Sequence, residues 1–237
     1  GIKRGDRVSL FVRPSLEFVG IVFAVFKLGG VPVLIDPGMG CFAQDAPDAA
    51  EIFTVRFEKG QPVAINGEAV GPIAAIEQSN AIAGRHGVGI GLHAVENRFV
   101  GIKSRGVYEA PGLELLGQCY EFLLQLVLAR RARKIFAPVS AFISAQIYQG
   151  YWFDTATQAS WQLVDHLNQL ATGTIAVSLF KGNVAFNAAS DAPHSLYSED
   201  TASMEDIGDF DHRDSEGFLG VLGVSARALN QAGQTSL

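Results

Sequence analysis

The densest group of side chains able to do chemistry lies between Val95 and Gly112. Eight polar or charged residues are interspersed there with glycines: Glu96, Asn97, Arg98, Lys103, Ser104, Arg105, Tyr108 and Glu109. Glycine lets a backbone approach a ligand closely, and carboxylate, guanidinium and phenol groups match the polar ends of an amino acid. The pattern is typical of a ligand site, but an internal salt-bridge network would have the same composition. The residues alone leave both interpretations open.

Strands and helices must hold this polar run in place. Alternating apolar residues and turn residues predict strands over 52–57, 62–65, 174–180 and 184–188. Helices are predicted from Pro72 to Gly84 (with Ile73, Ile76 and Ala83 on one stripe), over Leu113–Leu128, and after the capping residue Asp154. The polar run itself is predicted to be one strand, Ala94–Ile102, followed by a loop. Because these elements alternate without a repeated βαβ order, they favour an α+β domain.

Residues 1–40 follow a different pattern. A strand over Val8–Val12, an apolar helix over Leu16–Leu28 and a strand over Val31–Ile35 predict a βαβ unit with parallel strands. A small, acidic, turn-prone segment follows. The predicted organisation is therefore a βαβ unit at 1–40, a linker at 41–50 and an α+β domain at 51–237.

Composition excludes several classes of protein. The net charge of −6 argues against a nucleic-acid-binding surface, and the apolar stretch Phe18–Phe26 is too short to cross a membrane. Cys41 and Cys119 are the two cysteines, which supports neither a disulfide framework nor a cysteine-rich metal site, so we expect a cytoplasmic protein. One basic cluster, Arg130, Arg131, Arg133 and Lys134, is interpreted as the cationic end of the long apolar helix.

Two further motifs are weak. The glycines of Gly87-Val88-Gly89-Ile90-Gly91 lack the strand and helix that flank a dinucleotide fingerprint. The acidic stretch 205–214 lacks the loop glycine of a calcium-binding EF-hand and is interpreted as a solvated loop. We assign no residue to metal binding.

The polar run and several motifs around it resemble argininosuccinate synthase, specifically its C-terminal catalytic and multimerisation domain. The resemblance extends in order from about residue 54 to about residue 228. Its other motifs are Phe57-Glu58-Lys59-Gly60-Gln61-Pro62, Ala83-Gly84-Arg85-His86-Gly87-Val88-Gly89, Ile147-Tyr148-Gln149-Gly150-Tyr151-Trp152-Phe153, Leu179-Phe180-Lys181-Gly182-Asn183-Val184, Ser195-Leu196-Tyr197-Ser198-Glu199-Asp200 and Asp214-Ser215-Glu216-Gly217-Phe218.

The resemblance implies a mixed sheet with long helices and a C–N bond-forming ligase that condenses citrulline with aspartate. It also implies the use of ATP and Mg²⁺, and a homotetramer built through this domain. Glu96 and Tyr108 match the positions that hold citrulline, Glu96 facing the substrate ammonium and Tyr108 hydrogen-bonding its polar end. Both residues orient the substrate, so no residue is assigned a catalytic proton transfer.

The sequence departs from this family at its beginning. The Ser-Gly-Gly-Leu-Asp-Thr-Ser phosphate loop of the family's N-terminal domain is absent from the 237 residues. Residues 1–40, with Gly5-Asp6-Arg7-Val8 and Val31-Pro32-Val33-Leu34-Ile35-Asp36-Pro37-Gly38, instead resemble the N-terminal region of adenylate-forming acyl-CoA ligases. We therefore expect a truncated or chimeric synthase that is inactive without a nucleotide-binding domain. The alternatives are a non-catalytic oligomerisation module and a fragment of an acyl-CoA ligase.

Overall fold

The computed structural model describes residues 7–10, 31–34, 42–97, 101–198, 211 and 213–234. They fall into two compact units, Gly1–Ser195 and Leu196–Leu237. In chain order the strands are β1 (Arg7–Leu10), β2 (Val31–Leu34), β3 (Glu51–Glu58), β4 (Gln61–Ile65), β5 (Glu68–Ala69), β6 (Leu92–Asn97), β7 (Lys103–Tyr108), β8 (Gly173–Phe180) and β9 (Asn183–Ser190). The helices are α1 (Pro72–Arg85), α2 (Pro111–Val127), α3 (Arg130–Gln149), α4 (Thr155–Asn168) and α5 (Asp214–Gln231).

Strands β1 and β2 form a two-stranded parallel sheet. Their register runs from the pair Arg7 and Val31 to the pair Leu10 and Leu34. Parallel pairing is what the predicted βαβ unit requires, because parallel neighbours need a crossover connection. The helix predicted over Leu16–Leu28 lies outside the described residues.

The main sheet of the first unit has the strand order β5-β4-β3-β8-β9. Every pairing in it is antiparallel, whereas the family resemblance implied a mixed sheet. Two-residue turns explain the difference, because Lys59-Gly60 joins β3 to β4 and Lys181-Gly182 joins β8 to β9. All four turn residues have positive φ, which suits a tight hairpin turn. Together with the helices, this antiparallel sheet confirms the α+β class.

Alternation along β3 and β8 builds one side of the core. Phe53, Val55 and Phe57 are buried on β3, and Ile175, Val177 and Leu179 are buried on β8. These are successive i, i+2 positions, which lie on one face of a strand. The main sheet therefore buries one face, as the sequence pattern predicted.

Helix α2 covers that face. Its buried side consists of Leu115, Leu116, Cys119, Leu123, Leu124 and Val127. A fully buried leucine contributes about 1.5–3 kcal/mol through the hydrophobic effect, so this one helix supplies a large share of the core's stabilisation. The predicted helix over Leu113–Leu128 is confirmed as a central element.

Helix α1 is confirmed by its bounds, but the predicted buried stripe is wrong at Ile73 and Ile76 and right at Ala83. Ile73 is 76% exposed and Ile76 is 37% exposed. The buried side uses small residues together with one large one, namely Ala75, Ser79, Ile82, Ala83 and Gly84. Small residues let α1 approach α2 closely, since a Cβ atom on Gly112 would lie 2.7 Å from the carbonyl oxygen of Ile76.

Helices α3 and α4 complete the first unit. Helix α3 was not predicted, and the basic cluster forms its first turn rather than the end of α2. These cations therefore lie at the N-terminal end of their helix. The interpretation that they complement carbonyl groups at its C-terminal end is wrong. Asp154 is confirmed as the cap of α4, because its Oδ1 accepts a hydrogen bond of 2.9 Å from the Ala156 N–H. Helix α4 ends at Asn168, and Gly173 begins β8.

The second unit contains α5. Its apolar side chains are largely exposed: Phe218, Leu219, Val221, Leu222, Val224 and Leu229. Among the residues that the structure describes, no helix combines the length and apolar character that a membrane span requires.

Candidate functional site

The polar run forms a β-hairpin. Strands β6 and β7 pair antiparallel, with Leu92 opposite Tyr108 and Glu96 opposite Ser104. The sequence predicted one strand over Ala94–Ile102 and then a loop, and this is corrected, because 103–108 form a second strand. Three consecutive polar residues, Lys103, Ser104 and Arg105, followed by a glycine concealed the alternation of β7 from sequence reasoning.

The register separates the charged positions of this hairpin. Directly paired residues, and residues two apart along a strand, lie on the same face of a sheet. Glu96 and Tyr108 therefore occupy positions on one face, which we call the Glu96 face. Lys103 and Arg105 occupy positions on the opposite face. The two basic residues of β7 are thus not cross-strand neighbours of Glu96 on its own face.

The side chain of Tyr108 lies back along β7. A Cβ atom added to Gly106 would lie 2.5 Å from Cε2 of Tyr108 and 2.7 Å from both its Cζ and its Oη. The outer half of the ring therefore covers Gly106. Tyr108 remains 45% exposed, so the ring lies on the surface of the hairpin and not in the core.

The end of the hairpin is fixed against the loop that precedes it. The Ala110 N–H donates a hydrogen bond of 2.9 Å to the Gly89 carbonyl. Gly89 has a φ of +68°, and a Cβ atom there would lie 2.8 Å from Cα of Pro111. Glycine is needed at this position for both its φ and its close approach to the start of α2.

Helix α1 caps the first turn of α2. Oδ1 of Asn80 accepts a hydrogen bond of 2.7 Å from the Gly112 N–H. This satisfies a terminal donor that has no partner inside α2 itself. Since Tyr108 stands three residues before Pro111, the anchored start of α2 also fixes where β7 ends.

A buried histidine joins the loop before the hairpin to the main sheet. Nε2 of His86 lies 2.8 Å from Oε2 of Glu51, and the Gly182 N–H donates a hydrogen bond of 2.6 Å to the His86 carbonyl. Arg85 also pairs with Glu51. The hydrogen bonds from Arg85 and His86 lower the pKa of Glu51. These contacts link α1, β3 and the turn between β8 and β9, so we assign them a structural role.

Both faces of the hairpin are open. On the Glu96 face Leu92 is 37% exposed, and on the opposite face Val95 is 73% and Val107 is 53% exposed. Large contiguous apolar patches mark interaction surfaces, whereas apolar side chains exposed singly are ordinary. The hairpin therefore keeps apolar side chains at the surface on both of its faces.

Two depressions lie along α2 and away from the hairpin. One of about 380 Å³ is lined by Leu113, Glu114, Gly117, Gln118, Glu121 and Phe122. The other, of about 580 Å³, includes Glu121, Arg130, Arg133 and Lys134. Their polar groups bond to one another: Gln118 donates to Glu114, and Arg133 pairs with Glu121. Neither depression is lined by a hydroxyl-bearing residue, whereas the hairpin carries Ser104 and Tyr108.

Two further reactive groups in the described chain, Cys119 and Tyr120, are not suited to catalysis. Burial raises the pKa of the Cys119 thiol to about 12, so it stays protonated and is a poor nucleophile. Burial likewise raises the pKa of Tyr120 to about 12, and its hydroxyl bonds to Asn168. Within the described ranges, no three His, Cys, Asp or Glu residues are grouped so that they could hold a metal ion.

The predicted site residues are therefore brought together in part. Glu96 and Tyr108 lie on the same face of one hairpin, while their role towards citrulline stays a prediction. For Glu96, the structure describes the position of the backbone. Sequence reasoning missed Gly106. The feature that could have indicated it is a glycine two residues before Tyr108 in a strand, because residues two apart lie on the same face.

Comparison with known proteins identifies the family. A family model described as the argininosuccinate synthase C-terminal domain matches residues 41–229. An argininosuccinate synthase of Rhodopirellula baltica is 39% identical over 194 residues, which are 82% of this chain and 48% of the relative. One from Nitratidesulfovibrio vulgaris is 41% identical over 188 residues, covering 79% of this chain and 47% of the relative.

These matches cover only part of each relative and only part of this chain. The chain spans about half the length of the curated relatives that it matches. The family match begins at residue 41, and the resemblance of residues 1–40 to acyl-CoA ligases gains no support from these comparisons. From residue 41 to residue 229 the chain belongs to the argininosuccinate synthase family and matches its C-terminal domain.

Proposed function

We propose that this chain supplies the citrulline-holding surface of an argininosuccinate synthase, which condenses citrulline with aspartate at the expense of ATP. The observation that carries the proposal is the Glu96 face of the hairpin. Glu96, Ser104 and Tyr108 occupy positions on this one face. The basic residues Lys103 and Arg105 occupy positions on the other face. Membership of the family supports the choice of substrate.

Each residue has a role that suits its chemistry. The carboxylate of Glu96 pairs with the α-ammonium group of citrulline, and the Tyr108 hydroxyl hydrogen-bonds a polar end of the same molecule. These contacts orient the ureido oxygen for attack on the α-phosphate of ATP, which releases pyrophosphate and leaves a citrullyl-adenylate. The aspartate amine then displaces AMP. Orientation of this kind is a large part of the rate gain in a reaction between bound substrates.

ATP and Mg²⁺ need a different surface. Binding of a nucleotide triphosphate requires a loop of N–H donors and oxygen ligands for the metal. The described residues offer no three-residue group for a metal, and the Gly112 N–H at the start of α2 is already bonded to Asn80. These residues do not fit the nucleotide, so a separate nucleotide-binding domain is the proposed partner.

The open hairpin supports such a partner. Val95 and Val107 on one face, and Leu92 and Tyr108 on the other, are exposed enough to be covered by a second surface. The proposed assembly also includes further copies of this chain as a homotetramer in the cytoplasm. Neither a nucleic acid nor a membrane is proposed as a partner.

A second candidate function is a non-catalytic oligomerisation module. Exposed apolar side chains along α5 and on α3 favour it, including Phe218, Val221, Ile135 and Ile147. Light scattering at micromolar concentration distinguishes assembly from its absence, since a stable monomer would contradict the homo-oligomer.

An origin as a chimera with an acyl-CoA ligase fragment at residues 1–40 is a further hypothesis, which sequencing across 40–41 in the source gene would test.

Citrulline binding tests the proposed function directly. Nuclear magnetic resonance titration of the full chain with L-citrulline measures the dissociation constant even when it is millimolar. We expect saturable binding that Glu96→Gln weakens by roughly tenfold to a hundredfold, because a charge-assisted hydrogen bond is lost. Glu68→Gln, at an exposed carboxylate on β5, is the matched control and should bind as the unchanged chain does. Equal binding by the two variants would contradict the proposal.

A further inference from the structure

Gly106 holds a position where a side chain would collide with Tyr108. It pairs with Ala94 and lies between Ser104 and Tyr108 on the Glu96 face. A Cβ atom there would meet three atoms of the Tyr108 ring at 2.5–2.7 Å. Carbon atoms do not approach so closely, because favourable contacts between them begin at about 3.5 Å. Any residue other than glycine must move the ring.

The ring's placement shortens the distance to Glu96. Tyr108 and the pair formed by Glu96 and Ser104 are four residues apart along the hairpin, which is about 13 Å. Because the outer half of the ring lies over Gly106, the hydroxyl is carried two residues, about 7 Å, towards that pair. About 6 Å along the hairpin then separates the hydroxyl from that pair.

We propose that Gly106 is a positioning residue, which sets where the Tyr108 hydroxyl meets the ligand on the Glu96 face. The inference rests on the proposed citrulline role of Tyr108 and deepens it. Glycine inside a strand is unfavourable for the strand itself, since it adds backbone entropy to the unfolded chain and no side chain to pack. Its presence here is explained by the ring that occupies its missing side-chain space.

A purely structural role makes a different prediction. If the ring only shields the exposed backbone of a glycine, Gly106→Ala should change the stability of the hairpin and leave the citrulline affinity of the folded chain unchanged. If Gly106 positions the hydroxyl, the affinity must fall in molecules that remain folded. The loss must also depend on the hydroxyl of Tyr108.

The experiment combines ring placement with affinity. In the labelled full chain we expect nuclear Overhauser contacts between the Tyr108 ring and the Gly106 Hα protons, and an upfield shift of those protons that disappears in Tyr108→Leu. Gly106→Ala should raise the dissociation constant for L-citrulline about tenfold, the scale of one lost hydrogen bond. In the double variant with Tyr108→Phe the two effects should not add, since both remove the same contact.

Gly117→Ala is the matched control. Gly117 is exposed on α2 with no atom within 4 Å of its added Cβ, so this variant should bind citrulline as the unchanged chain does. Absence of the ring contacts in the unchanged chain would overturn the proposal, as would normal affinity in folded Gly106→Ala or fully additive losses. The shift comparison with Tyr108→Leu decides the ring placement even if Gly106→Ala does not fold. No citrulline binding by the unchanged chain would refute the proposed function, and ring contacts that persist there would still support the placement.

Discussion

The main sheet with α2 and the β6–β7 hairpin are built from strands of similar length, yet they use their side chains differently. In the sheet, Phe53 and Val177 are fully buried against α2 within the same chain. In the hairpin, Val95 and Val107 on one face and Tyr108 on the other stay exposed. The core residues are therefore explained by packing within this chain. The exposed hairpin residues are those that the proposed ligand or partner surface would cover.

The largest expected effect concerns turnover. If the hairpin holds citrulline and no described surface fits ATP, the 237 residues alone should form no argininosuccinate from citrulline, aspartate and ATP. In-line attack on a phosphate needs donors and metal ions that hold it, and the sequence contains no phosphate loop. A coupled assay for pyrophosphate checks this. Citrulline-dependent release of pyrophosphate above the blank would contradict the claim that this chain binds citrulline without converting it.

Removal of a core side chain tests the claim that the main sheet, unlike the hairpin, is packed within this chain. Leu123→Ala empties a site that is fully buried and should lower the free energy of unfolding by about 2–5 kcal/mol. Val107→Ala on the exposed hairpin should change it by about 0.5 kcal/mol or less. Urea unfolding followed by circular dichroism measures both. Similar losses for the two variants would mean that the hairpin is packed within this chain after all.

The link between His86, Arg85 and Glu51 gives a pH-dependent prediction. Because its partners lower the pKa of Glu51 in the folded chain, its stabilising contribution is present above the ordinary value of 4.5 and is lost as the pH falls through the lowered value. Glu51→Gln should therefore cost roughly 1–3 kcal/mol at pH 7 and progressively less below pH 4.5. Urea unfolding across this pH range, with Glu68→Gln as the control, measures the difference. A cost that does not change with pH would contradict the assignment.

The smallest effect is expected at the surface pair of Lys181 and Asp48. Nζ of Lys181 lies 2.6 Å from Oδ1 of Asp48, but the Asp48 side chain is 93% exposed. Solvent screens such a pair, although Lys181 does lower the pKa of Asp48. Asp48→Asn should leave the thermal midpoint unchanged within error. A fall of several degrees would show that the turn between β8 and β9 depends on this contact.

The sequence signals were strong where burial and turns act locally. Alternation in β3 and β8, and the turn residues Lys59-Gly60 and Lys181-Gly182, were enough to predict the central strands. The buried side of α1 was mistaken, because close approach to α2 selects small residues such as Ala75 over the larger isoleucines. Helix α3 was missed because basic residues are unfavourable in the first turn of a helix and Pro138 is unfavourable in its interior.

The candidate site was predictable in its residues but not in its geometry. Glu96 and Tyr108 were named through the family's motifs, whereas the second strand of the hairpin was taken for a loop. Its alternation is hidden because Gly106 contributes no side chain and the three residues before it are all polar. The closeness of the Tyr108 ring to that glycine depends on a rotamer, which no sequence pattern specifies.

Mapping of the citrulline contact by nuclear magnetic resonance tests the central claim most directly. In the labelled full chain, L-citrulline should shift the amide signals of β6, β7 and the first turn of α2, and leave those of β3 and β8 unchanged. The same shifts should be largely lost in Glu96→Gln. Saturable shifts centred on the main sheet or on the depressions along α2, or shifts that persist unchanged in Glu96→Gln, would contradict the assignment of citrulline to the hairpin.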